Sequence, residues 1–325
     1  MEPKTTKKPS RKLVVFKREL PFYLMLIPGV TFLIIFSYLP MFGLVMAFQD
    51  FTPLRSFKNS PWVGLKNFHD MLALPTFWNV VGNTLSISIA KIILRLLVPL
   101  ILALLLNEVV HHKFMRMAQT VFFLPYVTNS IAIGMVFAAM FNIVGSFYGT
   151  ENEIVVTAGI INNIIEFFGG TRVNWINYGS SYTANMVVMI VYIVWNALPF
   201  KILILLGGLQ AINRQYYEAA RVDSTPRWRV FTRITMPLVS PMLAYVVITG
   251  FIGGFKEYTS IVGIFGETMG PPNDGGRLNT MVGFIYDSLS NNSQGRASAA
   301  ALILFGIILV VTLINLWVSK KRVHY

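Results

Sequence analysis

The 325-residue sequence has no cysteine, which excludes disulfides, thiolate metal sites and cysteine nucleophiles. Histidine is nearly as scarce. His69, His111, His112 and His324 are scattered without metal-ligand spacing, and the adjacent pair reads as solvated loop. The 14 acidic residues stand isolated, so the clustered carboxylates that a membrane-face enzyme would need are missing. No Gly-x-x-x-x-Gly-Lys-Ser/Thr stretch occurs, so the chain cannot cradle ATP phosphates itself. Charged residues make up only 13% of the chain, against about 25% in soluble domains. With 54% hydrophobic residues, the composition falls in the membrane class. The net charge of +13 does not point to nucleic acid, because Lys and Arg sit in short clusters between apolar runs. A nucleic-acid face would gather them on one surface with interleaved aromatics, so no nucleic-acid partner is expected.

Six apolar runs are long enough to cross a hydrocarbon core, which takes roughly 20 residues. They cover about 21–48, 80–106, 119–141, 183–209, 238–265 and 297–318. The first is too long for a secretory signal core and lacks a small-residue cleavage site, so it reads as a retained span. Lys and Arg are dense in the tail before residue 19, at Lys113 and Arg116, in the interval 213–237, and at Lys320, Lys321 and Arg322. The other connections carry only Arg55, Lys58, Lys66, Arg172, Arg277 and Arg296. The positive-inside rule therefore places both termini in the cytoplasm. The expected architecture is an all-α polytopic membrane protein with six transmembrane helices, N-in and C-in. Residues 1–20 form a basic cytoplasmic tail, and 21–79 the first helix with an extracytoplasmic interface loop. The transmembrane domain is 80–318, with a cytoplasmic loop at 210–237 and a short tail at 319–325. Short helices are expected near 160–168 and 278–289.

Lys91, Arg95, Lys201, Lys256 and Glu257 lie inside apolar runs. A charge at a helix centre costs about 2.5–3.5 kcal/mol on insertion scales, so such residues face a cavity or a partner. Lys91 and Arg95, four apart, share a helix face, and backbone carbonyls, Glu257 or an anionic ligand must compensate them. Lys256 and Glu257, if helical, point about 100° apart and cannot pair face to face. Snorkelling to an interface is the plain alternative, strongest for Lys201. A positively biased path would suit an acidic substrate such as a uronate-containing sugar.

The interval 213–237 lies between two long apolar runs and holds Arg214, Arg221, Arg227, Arg229 and Arg233. Within it, Glu218-Ala219-Ala220 is followed after three residues by Ser224, and after nine more by Ile234-Thr235-Met236-Pro237. The small alanines allow close approach of another protein, and Glu218 offers a bidentate acceptor for an arginine. Pro226 suits the start of a second helix. Trp228, Val230, Phe231 and Ile234 are expected to pack inward.

This pattern resembles the cytoplasmic signature of permease subunits of binding-protein-dependent ABC importers: Glu-Ala-Ala, three residues, Gly, nine residues, Ile-x-Leu-Pro. Two positions depart from it, Ser224 for Gly and Met236 for Leu. The Gly position suits a turn with positive φ, which Ser enters only with strain. Stretches such as Trp195-Asn196-Ala197-Leu198-Pro199-Phe200, Phe255-Lys256-Glu257-Tyr258 and Gly295-Arg296-Ala297-Ser298 are similar to the carbohydrate-uptake branch.

The resemblance implies the type I ABC importer permease fold, and import of an oligosaccharide delivered by an extracytoplasmic solute-binding protein. It implies a second homologous permease and two ATP-binding cassette ATPase subunits, which hold the ATP and Mg while this chain carries no cofactor or metal. Glu218, Ala219, Ala220, Asp223, Ser224, Ile234 and Pro237 are the expected ATPase-coupling residues. Lys91, Arg95, Trp195, Asn196, Lys256, Glu257 and Tyr258 are the expected substrate path. A secondary transporter is the alternative, and it would show inverted repeats and broken helices in place of a docking loop.

Overall fold

The structure, a computed structural model, describes residues 11–53, 57–108, 117, 120, 128–143, 146–148, 154–156, 158–271 and 276–322. Helix α1, Arg11–Leu33, continues through a π-turn at Ile34–Tyr38 and an α-turn at Leu39–Met41 into a 3-10 segment at Phe42–Phe48. The π-turn has a local cause. Pro40 has no N–H to offer one turn back, and the ladder widens just before it, with the Leu39 N–H donating to the Ile34 carbonyl. Every side chain from Leu20 to Phe42 is exposed in the isolated chain.

The expected interface loop folds back on the end of this rod. Trp62 bridges to Gln49 and stacks on Phe48 with ring centroids 5.5 Å apart. A short helix α2, Lys66–Leu72, brings Asn67 to the end of the 3-10 segment. There its side-chain amide donates to the Ala47 and Gln49 carbonyls, both at 2.9 Å.

Helix α3, Pro75–Asn107, starts five residues before the expected Val80, with proline in its first turn. Helix α4, Ser130–Phe141, is capped by Asn129, whose Oδ1 accepts the Ile131 N–H at 2.9 Å. The rest of the expected third span, 119–141, lies largely outside the described residues. A two-stranded antiparallel hairpin follows, β1 Ser146–Tyr148 against β2 Ile154–Val156. Next come α5, Ile160–Phe167, and α6, Tyr182–Gln210, the latter capped by Ser181. Beyond α6 lie α7, Arg214–Val222, and α8, Arg227–Val230, and a second π-turn, Phe231–Thr235, leads into α9, Met236–Phe255. This π-turn also stands just before a proline, Pro237, and the Met236 N–H donates to the Phe231 carbonyl.

The expected fifth span, 238–265, is not one helix. Helix α9 stops at Phe255, after Gly253 and Gly254, and Tyr258 takes a non-helical φ of −152° and ψ of −57° before α10, Thr259–Phe265. Lys256 and Glu257 therefore lie in a break between helices, and the 100° argument does not apply to them. Helix α11, Met281–Ser290, and α12, Gln294–Arg322, complete the chain.

Among the described residues, five helical segments are long and apolar enough to cross a membrane: Arg18–Phe48, Pro75–Asn107, Tyr182–Gln210, Arg227–Phe255 and Gln294–Lys320. Helix α3 packs chiefly on α6 and α9, and α9 also packs on α12. Small residues set the closest approaches. Gly134 on α4 meets the Gly263 backbone of α10, and Ala297, Ala299 and Ala300 on α12 are fully buried. Ser298 of the same stretch donates to the Gly43 carbonyl at 3.2 Å.

Candidate functional site

Two constellations emerge, at different depths. The first is the loop after α6. Helix α7 begins at Asn213, whose Oδ1 accepts the Gln215 N–H at 3.0 Å. It ends in a two-bond left-handed cap: the Thr225 N–H donates to the Ala220 carbonyl at 2.9 Å, and the Ser224 N–H to the Arg221 carbonyl at 3.1 Å. This cap needs a left-handed residue at its first non-helical position, and Ser224 supplies it with φ +50°. The strain expected from the missing glycine is thus present. Ser224→Gly should raise local stability by about 1 kcal/mol, the usual cost of a left-handed conformation in a side-chain-bearing residue. Amide exchange of Thr225 in the two proteins would measure it, and slower exchange in the serine form would contradict the assignment.

Glu218 and Ala219 are exposed, whereas Ala220 is buried against the chain itself, so only the first two can meet a partner directly. Asp223 caps the helix end and is exposed, and Ile234 is half-buried in the π-turn. The Tyr217 hydroxyl lies 3.1 Å from that of Thr235, tying α7 to the start of α9 next to Pro237. Trp228, expected inward, is 73% exposed. Helix α8 runs on into the π-turn, and Trp228 and Val230, two residues apart, point about 200° apart on it, so both cannot face the bundle.

The second constellation lies within the bundle. Thr84, Ser88, Lys91 and Arg95 fall at helical spacing along one face of α3. Thr84 donates to the Val80 carbonyl and accepts the Met281 N–H at 2.9 Å. Lys91 Nζ donates to Glu257 and, at 3.0 Å, to the Gly253 carbonyl. Arg95 donates from Nε and Nη2 to the Ile193 carbonyl at 3.2 and 2.9 Å. Glu257 also accepts the Ser260 N–H, and the Thr280 hydroxyl donates to its backbone carbonyl at 2.7 Å. The charges are thus compensated by the carbonyls and Glu257 anticipated from sequence, and the helix break exposes the donors and acceptors that do it.

The remaining path candidates are divided. Trp195 stacks on Phe137 with centroids 6.0 Å apart, and Asn196 has a buried Nδ2 without a partner among the described residues. Tyr258 stacks on Tyr286, with centroids 4.5 Å apart. Lys256 is exposed and does not join the Lys91–Glu257 network. Lys201 donates to the Thr249 hydroxyl at 2.7 Å, so it is held by α9.

Sequence reasoning missed a polar cluster at the other end of α6. The Asn83 amide donates to the Arg277 and Asn279 carbonyls at 2.7 and 3.0 Å, and its Oδ1 accepts from the Tyr182 hydroxyl at 2.9 Å. Asn279 donates to Asp287 at 2.5 Å. Burial pushes the Asp287 carboxyl above the usual carboxylate range, and the Asn279 hydrogen bond partly opposes this. The available signal was Asn79 and Asn83, four apart at the start of an otherwise apolar helix. Among the described residues, no group of three or more His, Asp or Glu side chains could hold a metal ion.

Residues 96–324 match the family described as "Binding-protein-dependent transport system inner membrane component". The chain belongs to that family. This permease is 32% identical over 311 residues to the arabinooligosaccharides transport system permease protein AraP of Bacillus subtilis, covering 95% of this chain and 91% of AraP. It is 31% identical over 245 residues to the polygalacturonan/rhamnogalacturonan transport system permease protein YteP of the same organism, covering 74% and 71% of the two chains. Its fold matches a chain of a bacterial ABC transporter involved in import of the acidic polysaccharide alginate, with a TM-score of 0.79 at 24% identity over 96% of this chain and 99% of that one. The permease is a non-catalytic transport subunit and a multi-pass protein of the bacterial inner membrane.

Proposed function

We propose that this permease is one half of the pore of an ATP-driven oligosaccharide importer, with six spans and both termini in the cytoplasm. The observation that carries the reading is α7: a helix capped at both ends, tied to α9 through Tyr217 and Thr235, that presents Glu218 and Ala219 to solvent. Such an element transmits force as a rigid body. Docked on one of two ATP-binding cassette subunits, which hold ATP and Mg, it couples their closure to a switch of the spans between inward- and outward-facing states. A second homologous permease completes the pore and, with membrane lipid, covers the exposed α1. An extracytoplasmic binding protein delivers the substrate. Relatives named for arabinooligosaccharide, polygalacturonan and trehalose/maltose transport support an oligosaccharide, and YteP supports an acidic one. Trp195 and Asn196, beside the Arg95 anchor at Ile193, line the path.

The test is co-purification. The complex from cells expressing the native permease should retain a Walker-motif ATPase, and Glu218→Arg should lose it together with transport, because a cation replaces the acceptor for a partner arginine. Full retention of the ATPase by the variant would overturn the docking assignment.

A further inference from the structure

The N-terminal end of α6 borders a cavity of about 780 Å³, at the opposite end of that helix from α7. This size lies within the roughly 300–1,000 Å³ that holds a small ligand. Its wall combines the rings of Trp78 and Tyr182 with the amides of Asn79 and Asn291. The ring edges are already committed: the Trp78 indole N–H donates to the Leu72 carbonyl at 2.9 Å, and the Tyr182 hydroxyl donates to Asn83. Their polar edges are held, which leaves the ring surfaces to meet a ligand.

The charges on the wall are unequal. Arg277 is engaged with the Ser180 carbonyl at 2.9 Å and with Asn185 Oδ1 at 3.3 Å, and Asp287 stands on the same wall as a formal counter-charge. Arg296, at the start of α12, makes no hydrogen bond or ion pair with any described residue, and among the described residues of the wall it is a second cation beside one acid. Aromatic faces suit the apolar face of a pyranose, amides suit its hydroxyls, and a guanidinium takes a carboxylate through two parallel N–H donors. The deeper cations are unsuited to that role, since Lys91 and Arg95 are spent on Glu257 and backbone carbonyls.

We propose that this cavity is an outer glycan subsite for a short uronate-containing oligosaccharide, with Arg296 as the carboxylate partner and Trp78 and Tyr182 as its stacking walls. The subsite rests on the importer reading above and deepens it by assigning the substrate class to residues outside the buried Lys91–Glu257 network.

The absence of cysteine makes the site directly readable. Asn291→Cys is placed in the assembled transporter in nanodiscs, and its labelling by a membrane-impermeant maleimide is followed on this chain. Trigalacturonate is expected to slow that labelling, while a control Asn163→Cys on α5 is unaffected. Adding Arg296→Gln should raise the protecting concentration about tenfold or more, the scale of one lost charge-assisted hydrogen bond, and Arg296→Lys should restore part of it. Equal protection by the methyl-esterified trisaccharide overturns the carboxylate assignment, as does protection that ignores Arg296→Gln. Protection by sugar-free binding protein alone would make the wall a protein-docking surface instead. Absent protection in a transporter that still shows sugar-stimulated ATP hydrolysis removes the subsite and leaves the importer reading standing. If no ATPase subunit associates with the native permease, both fall together.

Discussion

Glu257→Ala should destabilise the folded permease by about 3–5 kcal/mol, the cost of leaving one member of a buried ion pair without its partner. The side chains of Lys91 and Glu257 are only 2% and 7% exposed, so no solvent stands ready to replace the carboxylate. Truncation strands the Lys91 ammonium with a single carbonyl, that of Gly253, and with Arg95 one helical turn away. The double variant Lys91→Met/Glu257→Met removes both charges at similar volume and should recover most of the loss, because apolar replacement of a buried pair is often neutral or better. Thermal unfolding in nanodiscs across the four-member cycle checks this. Losses that simply add would show that the two residues do not act as a pair. The pair also closes the break between α9 and α10 onto α3, so the single variants should loosen α10 before the rest of the bundle, visible as faster amide exchange over 256–265.

Gly134→Ala should separate α4 from α10. An added Cβ would lie 2.8 Å from the Gly263 carbonyl carbon and Cα, and neither can swing aside because both are backbone. Overpacking of this kind costs about 1–3 kcal/mol, and a backbone neighbour puts it toward the upper end. Gly263→Ala should be milder, since its nearest contacts are at 3.2 Å. Thermal stability of the two variants gives the comparison, and a larger loss at Gly263 would contradict the close-approach geometry.

How far each feature was legible from sequence follows from its range. In 213–224 the position requiring positive φ followed from the resemblance and is found at Ser224, and the Asn213 cap has a local cause that the sequence reading did not use. The π-turns at Ile34–Tyr38 and Phe231–Thr235 have equally local causes in Pro40 and Pro237, although the sequence reading did not use them. The break at 256–258 was missed because its flanks are as apolar as a continuous span, and hydropathy carries no information about backbone direction. Trp228 was misplaced because it stands two residues before Val230, about 200° round the same helix, so the two cannot share an inward face.

The sequence by itself determined the membrane class and the approximate bounds of the apolar helices at 21–48, 80–106, 183–209 and 297–318, because apolar length is a local property of the chain. Only the tertiary structure decided which charges meet. Lys91 and Glu257 are 166 positions apart, and Asn83 and Arg277 are 194 apart. Such pairs depend on the rotation and depth of packed helices, which no local pattern records. The same holds for the cavity, where α3, α6, α11 and α12 each supply part of the wall and none carries a recognisable motif for it.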